Sequence, residues 1–199
     1  MAREYLVKRR LDPTKFYFAQ KFQEWTNKQK QTFDNIVRDE CRIVIPLYDT
    51  NSELIGFQGR SLVPNSIKYI TVMLNDSKPK IYGLEKVNEE KPIYIVEGPF
   101  DSTLVENSVA MCGSDIDIRT FGWSDYIWVF DNEPRNREIN NRVSKIIDRG
   151  DKVVIWPSHI NQKDINDMVL SNIDVISVLK SNTYSGLKAK VKFNNWKKI

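Results

Sequence analysis

The chain has 199 residues, enough for one large domain or two small ones, and its hydrophobic fraction of 41% is that of an ordinary globular protein. No apolar run approaches the ~18 residues of a membrane span, and the first ten residues lack a signal-peptide core, so no membrane partner and a cytoplasmic location are expected. Cys41 and Cys112 stand apart without C-x-x-C spacing and there is one histidine, which argues against a disulfide framework and against bound zinc.

The net charge of +4 is unevenly spread: +5 over residues 1–30, −1 over 31–91, −5 over 92–170 and +5 over 171–199. An acidic centre between two basic ends suits a cation site beside a phosphate-binding surface.

In chain order, residues 4–11 read as a short helix with Lys8, Arg9 and Arg10 on one side. Asp12-Pro13 is a stop and restart, since Asp caps helices and Pro fits the first helical position. Residues 16–25 are aromatic-rich and read as helix, and 26–39, including Phe33, Ile36 and Val37, as a loop or connecting helix. Residues 42–48 and 53–58 are predicted to pair as a hairpin across Asp49-Thr50-Asn51-Ser52, and Gly59 to let the backbone turn. A further short strand is placed at 68–73 and a loose tip at 75–79. A boundary is placed before Pro92, which divides the chain into a basic N-terminal subdomain, 1–91, a second subdomain, 92–180, and a basic tail, 181–199.

Beyond the boundary, Pro92-Ile-Tyr-Ile-Val-Glu-Gly-Pro-Phe-Asp101 contains a four-residue apolar run that ends in Glu97 and Gly98. Tyr126-Ile-Trp-Val-Phe130 ends in Asp131-Asn132-Glu133, and Lys152-Val-Val-Ile-Trp156 leads to Lys163-Asp-Ile-Asn-Asp167. Glu97, Asp131 and Asp164 are separated by 34 and 33 residues, about one βα unit each. Three buried strands thus bring Glu97, Asp131/Glu133 and Asp164/Asp167 to one edge of a parallel sheet, where open α/β sheets bind ligands. In an extended stretch Asp131 and Glu133 would point the same way.

Helices are expected at 102–107, 115–120, 135–149 and 168–179, with a strand at 108–111, while residues 181–199 read as a basic tail, a final docking strand around 190–193 or a partly disordered segment. Asp101 and Asp164 also read as helix caps, Arg135, Arg137 and Arg142 as largely solvated, Phe121-Gly122-Trp123 as packing, and His159 as a surface residue.

Two carboxylates roughly 6 Å apart repel by about 3 kcal/mol at an effective dielectric of about 20. A cluster of this kind calls for Mg²⁺ or Mn²⁺, hard ions that take oxygen ligands and leave positions open for phosphate.

The set Glu97-Gly-Pro-Phe-Asp101, Asp131-Asn-Glu133 and Lys163-Asp-Ile-Asn-Asp167 resembles the Toprim domain of DnaG-type replicative primases, especially those of tailed phages. Upstream, Arg42-Ile-Val-Ile-Pro-Leu-Tyr-Asp49, Leu54-Ile-Gly-Phe-Gln-Gly-Arg60 and Lys80-Ile-Tyr-Gly-Leu84 are similar to the basic half of the primase polymerase core. The resemblance covers roughly residues 1–170. It departs from the commoner Asp-x-Asp at Glu133.

The resemblance implies an α/β protein: a Toprim-like parallel sheet with flanking helices, preceded by a smaller basic mixed α+β subdomain. It implies synthesis of short RNA primers from nucleoside triphosphates on a single-stranded DNA template. Glu97, Asp131 and Glu133 would be catalytic. Two or more Mg²⁺ or Mn²⁺ ions would be held by these three with Asp101, Asp164 and Asp167. Arg42, Arg60, Lys80 and Lys163 would meet nucleotide or nucleic acid. Family members carry a zinc module and a helicase-binding module, so a replicative helicase and a separate zinc-binding partner are implied. A phage enzyme would act in the host cytoplasm. A metal-dependent nuclease and a non-catalytic single-stranded-DNA-binding module are the alternatives.

Overall fold

A computed structural model describes residues 1–36, 38–113 and 116–199. Val37 and the first residue of the helix expected at 115–120 fall outside these. The chain divides into two compact units, one formed by residues 1–85 with 111–116, the other by 86–110 with 117–199.

The first unit begins with helix α1 (Ala2–Lys8) and strand β1 (Tyr17–Ala19), followed by α2 (Phe22–Gln29). Strands β2 (Arg42–Tyr48), β3 (Leu54–Ser61) and β4 (Tyr69–Met73) come next, and β5 (Ile81–Tyr82) is a short strand beyond them. β1 to β4 form an antiparallel sheet in sequence order. The hairpin expected across Asp49 is present: the Asp49 carboxylate accepts from Asn51 N–H and Glu53 N–H, and Lys78 pairs with it at 2.8 Å.

Residues 16–25 are not one helix. Tyr17–Ala19 pairs with Arg42–Val44 as an edge strand, and only then does α2 begin. The reason is packing. Phe22 is fully buried in a cluster with Ala19, Val44, Phe57 and Val72, flanked by Trp25 and Phe33. Gly59 does not turn the chain either. It lies within β3, opposite Val44, where a Cβ would come within 2.4 Å of the Phe22 ring. Its missing side chain is what admits that ring. β1 begins opposite Val44 and runs back toward Arg42, so Pro46 lies where β2 has a single neighbour in this sheet, the setting in which sheets tolerate proline.

The second unit contains β6 (Ile93–Val96), α3 (Pro99–Ser102), β7 (Ser108–Met111), β8 (Tyr126–Trp128) and α4 (Arg137–Asp148). It continues with β9 (Lys152–Val154), α5 (Ile165–Leu170), α6 (Val175–Ser181), β10 (Thr183–Tyr184) and α7 (Gly186–Trp196). Its strands follow the order β10-β9-β8-β6-β7, parallel except for the antiparallel edge strand β10. Ile93, Ile95, Val109 and Val153 are at most 1% exposed, as expected of strands covered on both faces. Fully burying such side chains stabilises the fold by about 1.5–3 kcal/mol each.

Several boundaries differ from expectation. α3 has one turn and starts at Pro99, so Asp101 lies inside it and Gly98 occupies the cap position. The segment 168–179 is broken by Asn172, whose φ of 58° ends α5, and Asp174 restarts the chain as the cap of α6. Residues 190–193 are helical rather than a docking strand, for they belong to α7, which buries Ala189 and Phe193. Near 115–120 a 3-10 turn, Ile118–Phe121, is capped by Asp117, and Phe121 stacks on Trp123 with ring centroids 4.7 Å apart.

Candidate active site

The parallel strands deliver their acids as the sequence pattern predicts. Glu97 follows β6 directly, and Asp131 follows β8 by way of Val129 and Phe130. Asp164 caps α5, accepting from Asp167 N–H at 2.7 Å. The Asp101 carboxylate accepts from Asn166 N–H, in the same first turn of α5, at 3.0 Å.

Asp131 stands at the centre. Its backbone N–H donates to Glu97 Oε2 at 3.1 Å. Its carboxyl is pushed up to about 8, chiefly by burial and then by the charges of Glu97, Asp101 and Asp164; Lys163 acts in the opposite sense. Such a carboxyl is a poor anion by itself and a good one beside a cation. Asp101 thereby joins Glu97 and Asp164 around Asp131.

Glu133 faces a different neighbour. Its N–H donates to the Asp131 carbonyl at 2.9 Å, closing a tight turn, so the alternation of an extended strand does not apply here. The Glu133 carboxylate pairs with the Lys163 ammonium at 3.2 Å. Asp167 lies in the first turn of α5.

Three residues at the site escaped the sequence reading. Arg142, expected in solvent with Arg135 and Arg137, reaches from α4 to Glu97 Oε1 at 2.8 Å. Its guanidinium lies 5.0 Å from the centroid of the Phe130 ring. Both Glu97 oxygens are thus held, one by Arg142 and one by Asp131 N–H. Arg135 and Arg137 are exposed, as is His159.

Asn132 donates its amide to the carbonyls of Ile160 and Gln162 and accepts the Trp196 indole N–H at 2.9 Å. Trp196, the third, therefore fixes the residue between Asp131 and Glu133 from the end of α7. No local pattern could have shown a bond that spans 64 residues.

Arg42, Arg60 and Lys80 belong to the first unit. Arg42 is 3% exposed and donates to the carbonyls of Gly59 and Ile67, to Ser66 and to Glu40. A guanidinium bound in this way holds the sheet together. Arg60 lies over the rings of Tyr5 and Tyr69, at 5.9 and 5.1 Å from their centroids, and donates to the Tyr5 hydroxyl. Lys80 is exposed.

Among the described residues no group of three or more His, Cys, Asp or Glu side chains is already drawn in to the spacing of a metal cage. The acids around Asp131 are instead held by backbone N–H groups and Arg142. The donor set is all oxygen, which suits a hard divalent cation.

The architecture is that of the DnaG-type primase catalytic core. The Aquifex aeolicus primase, comprising its zinc-binding and RNA polymerase domains, superposes with a TM-score of 0.67 at 19% identity, over 92% of this chain and 56% of that one. A DnaG catalytic domain solved bound to single-stranded DNA gives a TM-score of 0.68 at 18% identity, over 98% of this chain and 74% of the other. The sequence shows the relationship independently: the chain is homologous to DNA primase, being 36% identical to the enzyme of Enterobacteria phage T4 over 167 residues. That match takes in 80% of this chain and 48% of the phage protein, so the chain spans about half the length of that relative. No family model matches the chain. Among the described residues no helix is long and apolar enough to cross a membrane.

Proposed function

We propose that the chain is the catalytic core of a DNA primase, joining ribonucleotides into short primers on single-stranded DNA. One observation carries the proposal: Asp131 sits among Glu97, Asp101 and Asp164 in a fold shared with DnaG-type cores. In this reading a primer 3′-hydroxyl attacks the α-phosphate of an incoming nucleoside triphosphate and pyrophosphate leaves. Divalent cations, when bound, would lower the pKa of that hydroxyl and neutralise charge on the phosphate oxygens.

Glu97, Asp101, Asp131 and Asp164 would hold two or more Mg²⁺ or Mn²⁺ ions, with Glu133 and Asp167 at the margin. Glu97 and Asp131 are pre-positioned by the N–H bond between them. Lys163, paired with Glu133, would meet phosphate once that carboxylate turned to a cation. Residues 92–180 carry the chemistry, and residues 1–91 contribute Lys80 and Arg60 toward template or triphosphate. A replicative helicase and a zinc-binding protein are the partners this reading calls for.

The test is incubation of the chain with single-stranded DNA, labelled ribonucleotides and Mg²⁺ or Mn²⁺. New short RNA is expected. Shortened DNA would instead identify a nuclease using the same acids, and a gel shift without either product a binding module.

A further inference from the structure

A cleft of about 420 Å³ opens in the second unit between the loop after β9, strand β10 and the end of α7. Its size is within the ~300–1,000 Å³ range of ligand sites. Three aromatic rings line it: Tyr184 and Trp196, both partly exposed, and Trp156, which is buried at 4% exposure. Two of them are locked in orientation. The Trp156 indole N–H donates to the Phe130 carbonyl at 2.8 Å, and that of Trp196 to Asn132 Oδ1 at 2.9 Å.

Lys192 and Lys198 also line the cleft, and both are exposed. The Lys192 ammonium lies 5.6 Å from the centroid of the Tyr184 ring, so positive charge and stacking surface are adjacent. Asn161 and Asn195 bring amides, which can both donate and accept, and none of the lining residues carries a carboxylate. Fixed aromatic faces, flexible cations and amide edges are the features that bind single-stranded nucleic acid.

We propose that this cleft takes one nucleotide of a single strand, its base against the aromatic wall and its phosphate on Lys192 and Lys198. The proposal rests on the primase reading in placing a strand beside the acidic centre: Asn132, which lines the cleft, lies between Asp131 and Glu133 in the chain. A free triphosphate is the poorer occupant. The cleft lies at the C-terminal end of α7, where helix carbonyls disfavour concentrated negative charge, and it offers no guanidinium.

The experiment uses the full chain and a twelve-residue oligothymidylate, either fluorescein-labelled for anisotropy or carrying 5-iododeoxyuridine for photo-crosslinking. The double variant Lys192→Glu/Lys198→Glu is compared with Lys145→Glu/Lys180→Glu, which makes the same charge change outside the cleft. The cleft variant should weaken binding about tenfold or more and lower the salt slope by about 0.7, the share of one phosphate. The control should change affinity less than about threefold, and wild-type crosslinks should map to the partly exposed Tyr184 or Trp196.

Equal losses in both variants, or crosslinks only elsewhere, would overturn the proposal. So would displacement of the crosslink by ATP and not by unlabelled oligonucleotide. Primer synthesis by the same wild-type preparation separates the two readings. Synthesis without cleft crosslinks leaves the primase reading standing and removes the cleft. Cleft crosslinks without synthesis do the reverse.

Discussion

Arg142 and Glu97 are joined by an ion pair of 2.8 Å that ties α4 to the acid at the end of β6. The two side chains are 25% and 24% exposed, so the pair is only partly screened by water. In the proposed primase reaction Arg142 would act through Glu97. Arg142→Met is expected to lower primer synthesis about 10- to 100-fold, which corresponds to the ~1.5–3 kcal/mol of a hydrogen bond to a charged group. The Mg²⁺ concentration for half-maximal rate should shift as well, and Arg142→Lys should restore part of both. An unchanged Mg²⁺ titration in Arg142→Met would show that the pair does nothing for the site.

Glu97→Gln keeps the shape of the side chain and one accepting oxygen while removing its charge. Primer synthesis should fall below detection while the circular-dichroism spectrum stays that of the wild type. Full activity in this variant would take Glu97 out of the mechanism.

Asp131 has a folded-state pKa of about 8 against an ordinary 3.8, so the folded chain binds this proton more tightly than the unfolded one. Its contribution to stability is complete below the unfolded value and is lost as pH rises through the folded one. In EDTA, Asp131→Asn should therefore melt at least about 2 °C above wild type at pH 8.5, with the difference gone at pH 4. The rise should appear alongside loss of synthesis. Equal melting temperatures of variant and wild type at both pH values would show that Asp131 is not strained by its neighbours.

Gly59→Ala introduces a Cβ 2.4 Å from the Phe22 ring, which is buried on all sides. Overpacking of this kind costs about 1–3 kcal/mol. Urea denaturation should show a lower midpoint with an unchanged slope. A midpoint equal to wild type would mean that the ring has room to move.

Phe193 is 7% exposed on α7, and its ring centroid lies 6.1 Å from that of Trp196. Phe193→Ala should cost about 3–5 kcal/mol if the helix is integral to its unit. A basic tail that merely gripped a strand would leave the melting temperature unchanged and alter only the salt dependence of binding.

The parallel sheet was legible because its strands are continuous apolar runs closed by Gly, Pro or an acid. The acids were legible because a buried strand rarely ends in one without cause. Residues 16–25 misled because aromatic content reads alike in a helix and an edge strand. The decision belongs to Arg42–Val44, more than twenty residues away in the chain. Arg142 misled for a related reason: nothing in the sequence of α4 indicates that Glu97 lies across from it. Gly59 reads as a turn residue because the ring that requires it comes from another element.

The bond from Trp196 to Asn132 has a dynamic consequence. Helix ends open on their own, without waiting for the whole domain to melt, and the last turn of α7 carries one of the hydrogen bonds that hold the Asn132 side chain. Each fraying event there loosens the 131–133 turn for as long as it lasts. Hydrogen exchange should then find the Asn132 amide, bonded to the Lys163 carbonyl at 2.6 Å, opening in step with residues 193–196. Trp196→Phe should uncouple the two. The far end of the chain would thereby set how long the acidic turn keeps its shape.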